Sequence, residues 1–131
     1  MKHVKDMVAE ANQIVEHFPA AAAKGMHGQD DVLFIDLRDI RELWREGKVP
    51  GAYHCPRGML EFWIDPESPY AKDIFQQEGK TFVFYCAGGQ RSALAARAAH
   101  EMGLPGVAHI EDGFGGWKKA EGPIEAVEPK K

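Results

Sequence analysis

Thr81-Phe82-Val83-Phe84-Tyr85-Cys86-Ala87-Gly88-Gly89-Gln90-Arg91-Ser92 runs from an apolar segment through a short glycine-containing loop into an alanine-rich stretch. Thr81 and four consecutive apolar residues precede Cys86 with no polar alternation among the four. A strand of that composition is covered on both faces, the habit of parallel sheets. The loop that follows it then falls at the carboxyl edge of the sheet, where α/β folds place their ligands.

Upstream, Val32-Leu33-Phe34-Ile35-Asp36 is a second continuous apolar run ending in a carboxylate, and predicts another central strand. Asp39 with Glu42 three residues on predicts a capped helix carrying Ile40, Leu43 and Trp44 until Gly47 stops it. Val49-Pro50-Gly51 is a turn, and Ala52 to Cys55 a short strand. Met59, Leu60, Phe62 and Trp63 form a short apolar helix after Arg57-Gly58. Ser68 as N-cap and Pro69 at the first helical position predict a further helix through Tyr70, Ile74 and Phe75, closed by Gly79.

Downstream, Leu94, Ala98 and Met102 make an i, i+4, i+8 row on a helix ended by Gly103. Val107 to Ile110 is a last strand, Glu111-Asp112-Gly113 a turn, and Phe114 to Ala120 a final helix with Trp117. At the other end, residues 4–16 carry Val4, Met7, Val8 and Ala11 on one face, as an amphipathic helix does. Beyond it, Ala20 to Ala23 has helical propensity, while Ile14 to His17 reads equally as a brief edge strand. Strands alternating with helices imply an α/β fold, a mostly parallel central sheet with helices on both faces in a three-layer sandwich. The 131 residues make one domain, with residues 1–13 as an N-terminal helical extension and 124–131 as a loose tail, since from Gly122 there is little to bury.

A formal charge of −4 without any concentration of Lys and Arg argues against nucleic acid or a membrane surface as partner. No apolar run approaches the roughly 18 residues of a spanning helix, and a cytoplasmic location is expected. Two cysteines make no disulfide framework, and the histidines never stand at ligand spacing, so neither metal nor other cofactor is expected.

A loop that feeds a helix N-terminus presents unpaired backbone N–H groups and the positive end of the helix dipole. Cys86 stands at its centre, where that field favours thiolate. Gly88 and Gly89 let the chain curl so that amides converge, and Arg91 adds forked donors for an oxyanion. Four residues separate Cys86 from Arg91, a smaller ring than the five-residue spacing of tyrosine phosphatases, and suited to a sulfur atom on Cys86 more than to a phosphoryl group.

The chain resembles the single-domain rhodaneses, thiosulfate sulfurtransferases, from about residue 14 to Pro123. The resemblance is carried by Val32 to Arg38, by Gly47-Lys48-Val49-Pro50-Gly51-Ala52, by Cys86 to Ser92, and by Gly113 to Trp117. It implies that Cys86 takes a sulfane sulfur from a donor such as thiosulfate and passes the persulfide sulfur to cyanide or a thiol in ping-pong fashion. A sulfur-accepting protein is a further possible partner. Amides of Ala87, Gly88, Gly89, Gln90 and Arg91 would hold the persulfide, and Arg91 the donor's anionic end. The family's turn often begins Gly-His where this chain has Gly47-Lys48, a change expected at the pocket rim or in local packing.

Asp36, Arg38, Lys48, Arg57, Met59, Trp63 and Ser92 are candidates for pocket rim or support. Asp36 and Arg38 also read as a buried pair orienting a strand end, Met59 and Trp63 as core, and Arg57 as a solvated loop residue. Cys55, before Pro56, reads as packing rather than as a resolving thiol. Trp44, Trp117 and the histidines read as packing or surface. Two other functions compete. A cysteine-dependent phosphatase or arsenate reductase is disfavoured by the loop length. A non-catalytic or sulfur-carrier module would dock a protein partner.

Overall fold

A computed structural model describes residues 1–129. Strands β1 (Glu16–Phe18), β2 (Val32–Asp36), β3 (Tyr53–His54), β4 (Thr81–Tyr85) and β5 (Val107–Ile110) form one sheet in the order β1-β5-β4-β2-β3. Every pairing is parallel. Helices α1 (Val4–Ile14), α2 (Ala20–Lys24), α3 (Ile40–Glu46), α4 (Leu60–Ile64), α5 (Gln90–Glu101) and α6 (Gly113–Lys119) complete the chain.

The apolar run of β4 serves both faces, as its composition predicts. Phe82 and Phe84 enter a core with Ile35, Leu60, Ile64, Ala95, Ala96 and Ala99, which carries α4 and α5. Val83 and Tyr85 point the other way, into a core with Phe34, Ile110, Phe114 and Trp117 beneath α2 and α6. Register sets Asp36 beside Tyr85 at the carboxyl edge, and the Leu37 N–H donates to the Tyr85 carbonyl at 3.0 Å. Cys86 follows directly.

Both readings of the N-terminal stretch are realised in sequence. α1 ends at Ile14 because Val15 turns extended, and β1 then adds an edge strand to β5 before Pro19 opens α2. Asp39 and Glu42 form the expected capping box on α3.

Two expectations are corrected. The helix from Ser68 to Gly79 reduces to one 3₁₀ turn, Asp73–Gln76. Ser68 Oγ accepts from the Tyr70 N–H in a local turn, Lys72 is extended, and its N–H donates to the Trp63 carbonyl instead of to a helical partner. On α5 the abundance of alanine serves close packing, as its composition suggests: Ser92, Ala93, Ala95, Ala96 and Ala99 are buried, whereas Leu94 and Ala98 are half-buried and Met102 is exposed. Small side chains let the helix approach the sheet, so the larger row faces outward on the side where α1 packs along α5. Finally, the tail is held as far as Glu125. Trp117 Nε1 donates to the Pro123 carbonyl at 2.7 Å, and Lys48 and Glu125 exchange backbone hydrogen bonds of 2.9 and 2.8 Å. Residues 130–131 of the expected loose tail lie outside the described residues.

Candidate active site

The Cys86 loop is shaped from outside by the start of α6. The Phe114 N–H donates to the Cys86 carbonyl at 2.8 Å, and the Gly115 N–H to the Ala87 carbonyl at 3.1 Å. With two carbonyls drawn outward, amides of the loop are free to turn inward. Gly113 allows this approach, since a Cβ there would stand 2.5 Å from the Ala87 carbonyl oxygen. Gly89, at φ +99°, caps α5 in the left-handed region, and a Cβ on it would lie 2.0 Å from the Glu111 carbonyl oxygen. Gly88 has open space around it and needs no positive φ, so the curl belongs to Gly89 alone.

Cys86 is 1% exposed and forms part of the wall of a pocket of about 210 Å³, shared with Gly88, Gln90 and Arg91. Its Sγ accepts from the Gly89 N–H at 3.2 Å and from the Ser92 N–H at 3.4 Å. Ser92 Oγ stands 3.6 Å from the same sulfur. These contacts fix the sulfur at the N-terminus of α5, on the wall of the pocket.

Arg91 does not project as a free cation. Its Nη1 and Nη2 donate to Glu42 Oε2 and Oε1 at 2.9 and 3.1 Å, a forked pair. The Arg91 hydrogen bond holds the Glu42 carboxyl below the ordinary glutamate range, and Glu42 raises Arg91 in return. Sequence reading assigned Glu42 only to helix capping, and it does both, since Oε2 also accepts from the Asp39 N–H at 3.0 Å.

The expected supporting residues divide. Asp36 and Arg38 are wholly buried and paired, Arg38 Nη2 to Asp36 Oδ2 at 2.7 Å and Nε to Oδ1 at 3.0 Å. The same Nη2 donates to the Gly47 carbonyl at 2.7 Å, and the guanidinium lies 4.3 Å over the Phe114 ring. Arg38 thus ties the Gly47 turn to α6, an orienting role. Lys48 turns to the tail and its own turn, with Nζ donating to the Ala52 carbonyl at 2.9 Å and lying 3.7 Å from Glu125 Oε2. Arg57 pairs with Glu61 at 2.9 Å and borders a separate groove with Met7, Leu94 and Arg97. Trp63 packs edge-on against Tyr53, and Met59 is half-buried in the 3₁₀ turn before α4; neither borders the Cys86 pocket. Burial pushes the Cys55 thiol up to about 12, which suits packing.

One residue was missed. His109 on β5 is completely buried, with Nδ1 3.0 Å from Ser92 Oγ. A lone histidine in an apolar strand gave no signal of this; only the pairing of Phe84 with His109 places it beside the end of β4.

Comparison with known proteins agrees with this architecture. A solved protein of unknown function from Rhodopseudomonas palustris, described as a possible tyrosine phosphatase, is 58% identical, with TM-score 0.92 over 95% of this chain and 96% of its own. The thiosulfate sulfurtransferase of Pseudomonas aeruginosa shares the fold at TM-score 0.74 and 20% identity, over 92% of this chain and 22% of its own. The tRNA uridine(34) hydroxylase of Cronobacter sakazakii is 29% identical over 112 residues, 85% of this chain and 31% of that protein. This chain spans less than half the length of the first curated relatives it matches. Residues 19–120 match the model of the rhodanese-like domain, from the end of β1 to the end of α6, and the chain belongs to that family.

Proposed function

We propose that the protein is a sulfurtransferase that carries a sulfane sulfur on Cys86. The observation that supports this reading is the Sγ of Cys86 held by the Gly89 and Ser92 N–H groups on the wall of a small pocket. The thiolate attacks the outer sulfur of thiosulfate, a sulfur–sulfur bond forms at Cys86, and the donor's own bond breaks with its electron pair leaving on sulfite. The outer sulfur of the persulfide then accepts attack by cyanide or a thiol, and the pair returned to Sγ restores the thiolate. Amides converging on the loop stabilise the charge at both stages. Arg91, fixed by Glu42, presents an oriented guanidinium to the donor's anionic end.

Intact mass before and after thiosulfate tests the first half-reaction. Wild type gains one sulfur, which cyanide removes as thiocyanate; Cys86→Ala gains none. If wild type gains no sulfur from thiosulfate or from a small persulfide, the reading is lost. Turnover of an aryl phosphate that disappears in Cys86→Ser would replace it with phosphatase chemistry.

A further inference from the structure

Three side chains left idle by sulfur transfer stand in file behind Cys86. Its Sγ lies 3.6 Å from Ser92 Oγ on α5, that Oγ 3.0 Å from His109 Nδ1 on β5, and His109 Nε2 2.7 Å from Asn12 Oδ1 on α1. Ser92 and His109 are wholly buried, and Asn12 is half-buried. Asn12 precedes the residues matched by the family, so a helix outside the shared domain reaches the candidate nucleophile through two side chains.

Donor and acceptor arithmetic gives the file a direction. An amide oxygen only accepts, so Nε2 of His109 carries hydrogen. In a neutral ring the other nitrogen is then bare, and Nδ1 takes the Ser92 hydroxyl hydrogen. Ser92 Oγ meets the sulfur with lone pairs and accepts its S–H. Every hydrogen in the file points away from the sulfur. Burial keeps the ring neutral by lowering His109 to about 4; His17, whose ring centroid is 5.9 Å away on β1, pushes the same way, while the backbone of Ile110 and the Glu111 carboxylate oppose. On the sulfur side, the neighbouring cation Arg91 is already paired with Glu42.

We propose that Asn12 and His109 are positioning residues that hold the Ser92 hydroxyl turned away from Cys86, so that α1 restrains conversion of the thiol to its reactive thiolate. The inference rests on the reading of Cys86 as nucleophile. The Gly89 and Ser92 amides favour the thiolate, while the hydroxyl, committed to Nδ1, favours the thiol. When the proton leaves to water, the thiolate faces lone pairs unless Ser92 abandons the imidazole. Without Asn12 the ring is free to carry its hydrogen on Nδ1, donate it to Ser92 Oγ, and release the hydroxyl hydrogen to the sulfur. Losing the contact therefore makes Cys86 more reactive, the opposite of general damage.

The test is the pH profile of Cys86 alkylation by iodoacetamide in the full-length protein, in which a sulfur–carbon bond forms and iodide leaves, read on the Cys86 peptide by mass. In Asn12→Ala the midpoint falls by about one pH unit, and the rate near neutrality rises about threefold because lower basicity offsets part of the gain in thiolate. His109→Leu shifts the profile in the same direction, and the double variant goes no further. Gln13→Ala, on the same helix, leaves the profile in place. Should Asn12→Ala lower the thermal midpoint, Asn12→Ser, also too short to reach the ring, takes its place. An unmoved or raised alkylation midpoint in a stably folded Asn12 variant overturns the proposal. Alkylation needs no sulfur donor, so a missing persulfide with a shifted midpoint removes only the sulfurtransferase reading, and a normal persulfide with an unmoved midpoint removes only this one.

Discussion

His109 carries a residue-scale cost that pH exposes. Burial lowers its folded value to about 4 from an ordinary 6.5. Below about pH 6.5 the unfolded chain takes up a proton that the folded ring refuses, so stability is full above that value and falls as pH drops toward 4. Between about pH 7.5 and about pH 5 the expected loss is roughly 2 kcal/mol, out of a ceiling of roughly 3. Urea unfolding at the two pH values measures it, and the slope flattens in His109→Gln; equal slopes in the two proteins would refute the assignment. Glu42 follows the same sign at lower pH, since its carboxyl lies below the ordinary range and its pairing with Arg91 is lost only as that carboxyl protonates. In the sequence, neither residue announced its contact with the Cys86 loop and the helix that follows it. Glu42 already had a sufficient reason in the capping box, and His109 stood alone in an apolar strand.

Among the elements, the short α6 has the largest say over the loop, because its first amides hold the Cys86 and Ala87 carbonyls. Adjacent glycines then differ sharply. Gly89→Ala places a Cβ against the Glu111 carbonyl at a positive φ, and is expected to cost more than about 2 kcal/mol and to abolish sulfur uptake. Gly88→Ala meets nothing within 4 Å, and its stability is expected to stay within about 0.5 kcal/mol of wild type. Thermal unfolding of the two variants decides it, and equal losses would show that the loop is not held as described. β4 and the start of α5 were legible because composition alone tells a strand covered on two faces, and glycine a turn. The helix expected after Ser68 was not, since its local signals were outweighed by a backbone bond from Lys72 to Trp63, a partner that no propensity records. On α5 the alanine-rich composition was the better guide, since the buried positions are the small side chains and Leu94 and Met102 stand outside them.

Across the whole molecule, parallel order and two-sided cover followed from the alternation of apolar runs with helical patterns, and placed Cys86 and Asp36 at one edge before any geometry was known. The long-range ties did not follow. The bridge between Lys48 and Glu125 joins residues 77 positions apart, and Gly51 N–H donates to Glu125 Oε1 at 3.0 Å. Removing residues 124–131 is therefore expected to lower stability by about 1–2 kcal/mol through lost hydrogen bonds while leaving sulfur uptake by Cys86 intact. Denaturant midpoints and intact mass check the two halves, and a truncated protein as stable as the full chain would show that the bridge contributes nothing. The grip of α6 on the loop has one more consequence, and it is entropic. The Gly89 and Ser92 amides at Cys86 are ordered when the chain folds, so under the proposed function an arriving sulfur meets a cradle already arranged, and binding strength goes to the reacting atom instead of to arranging its host.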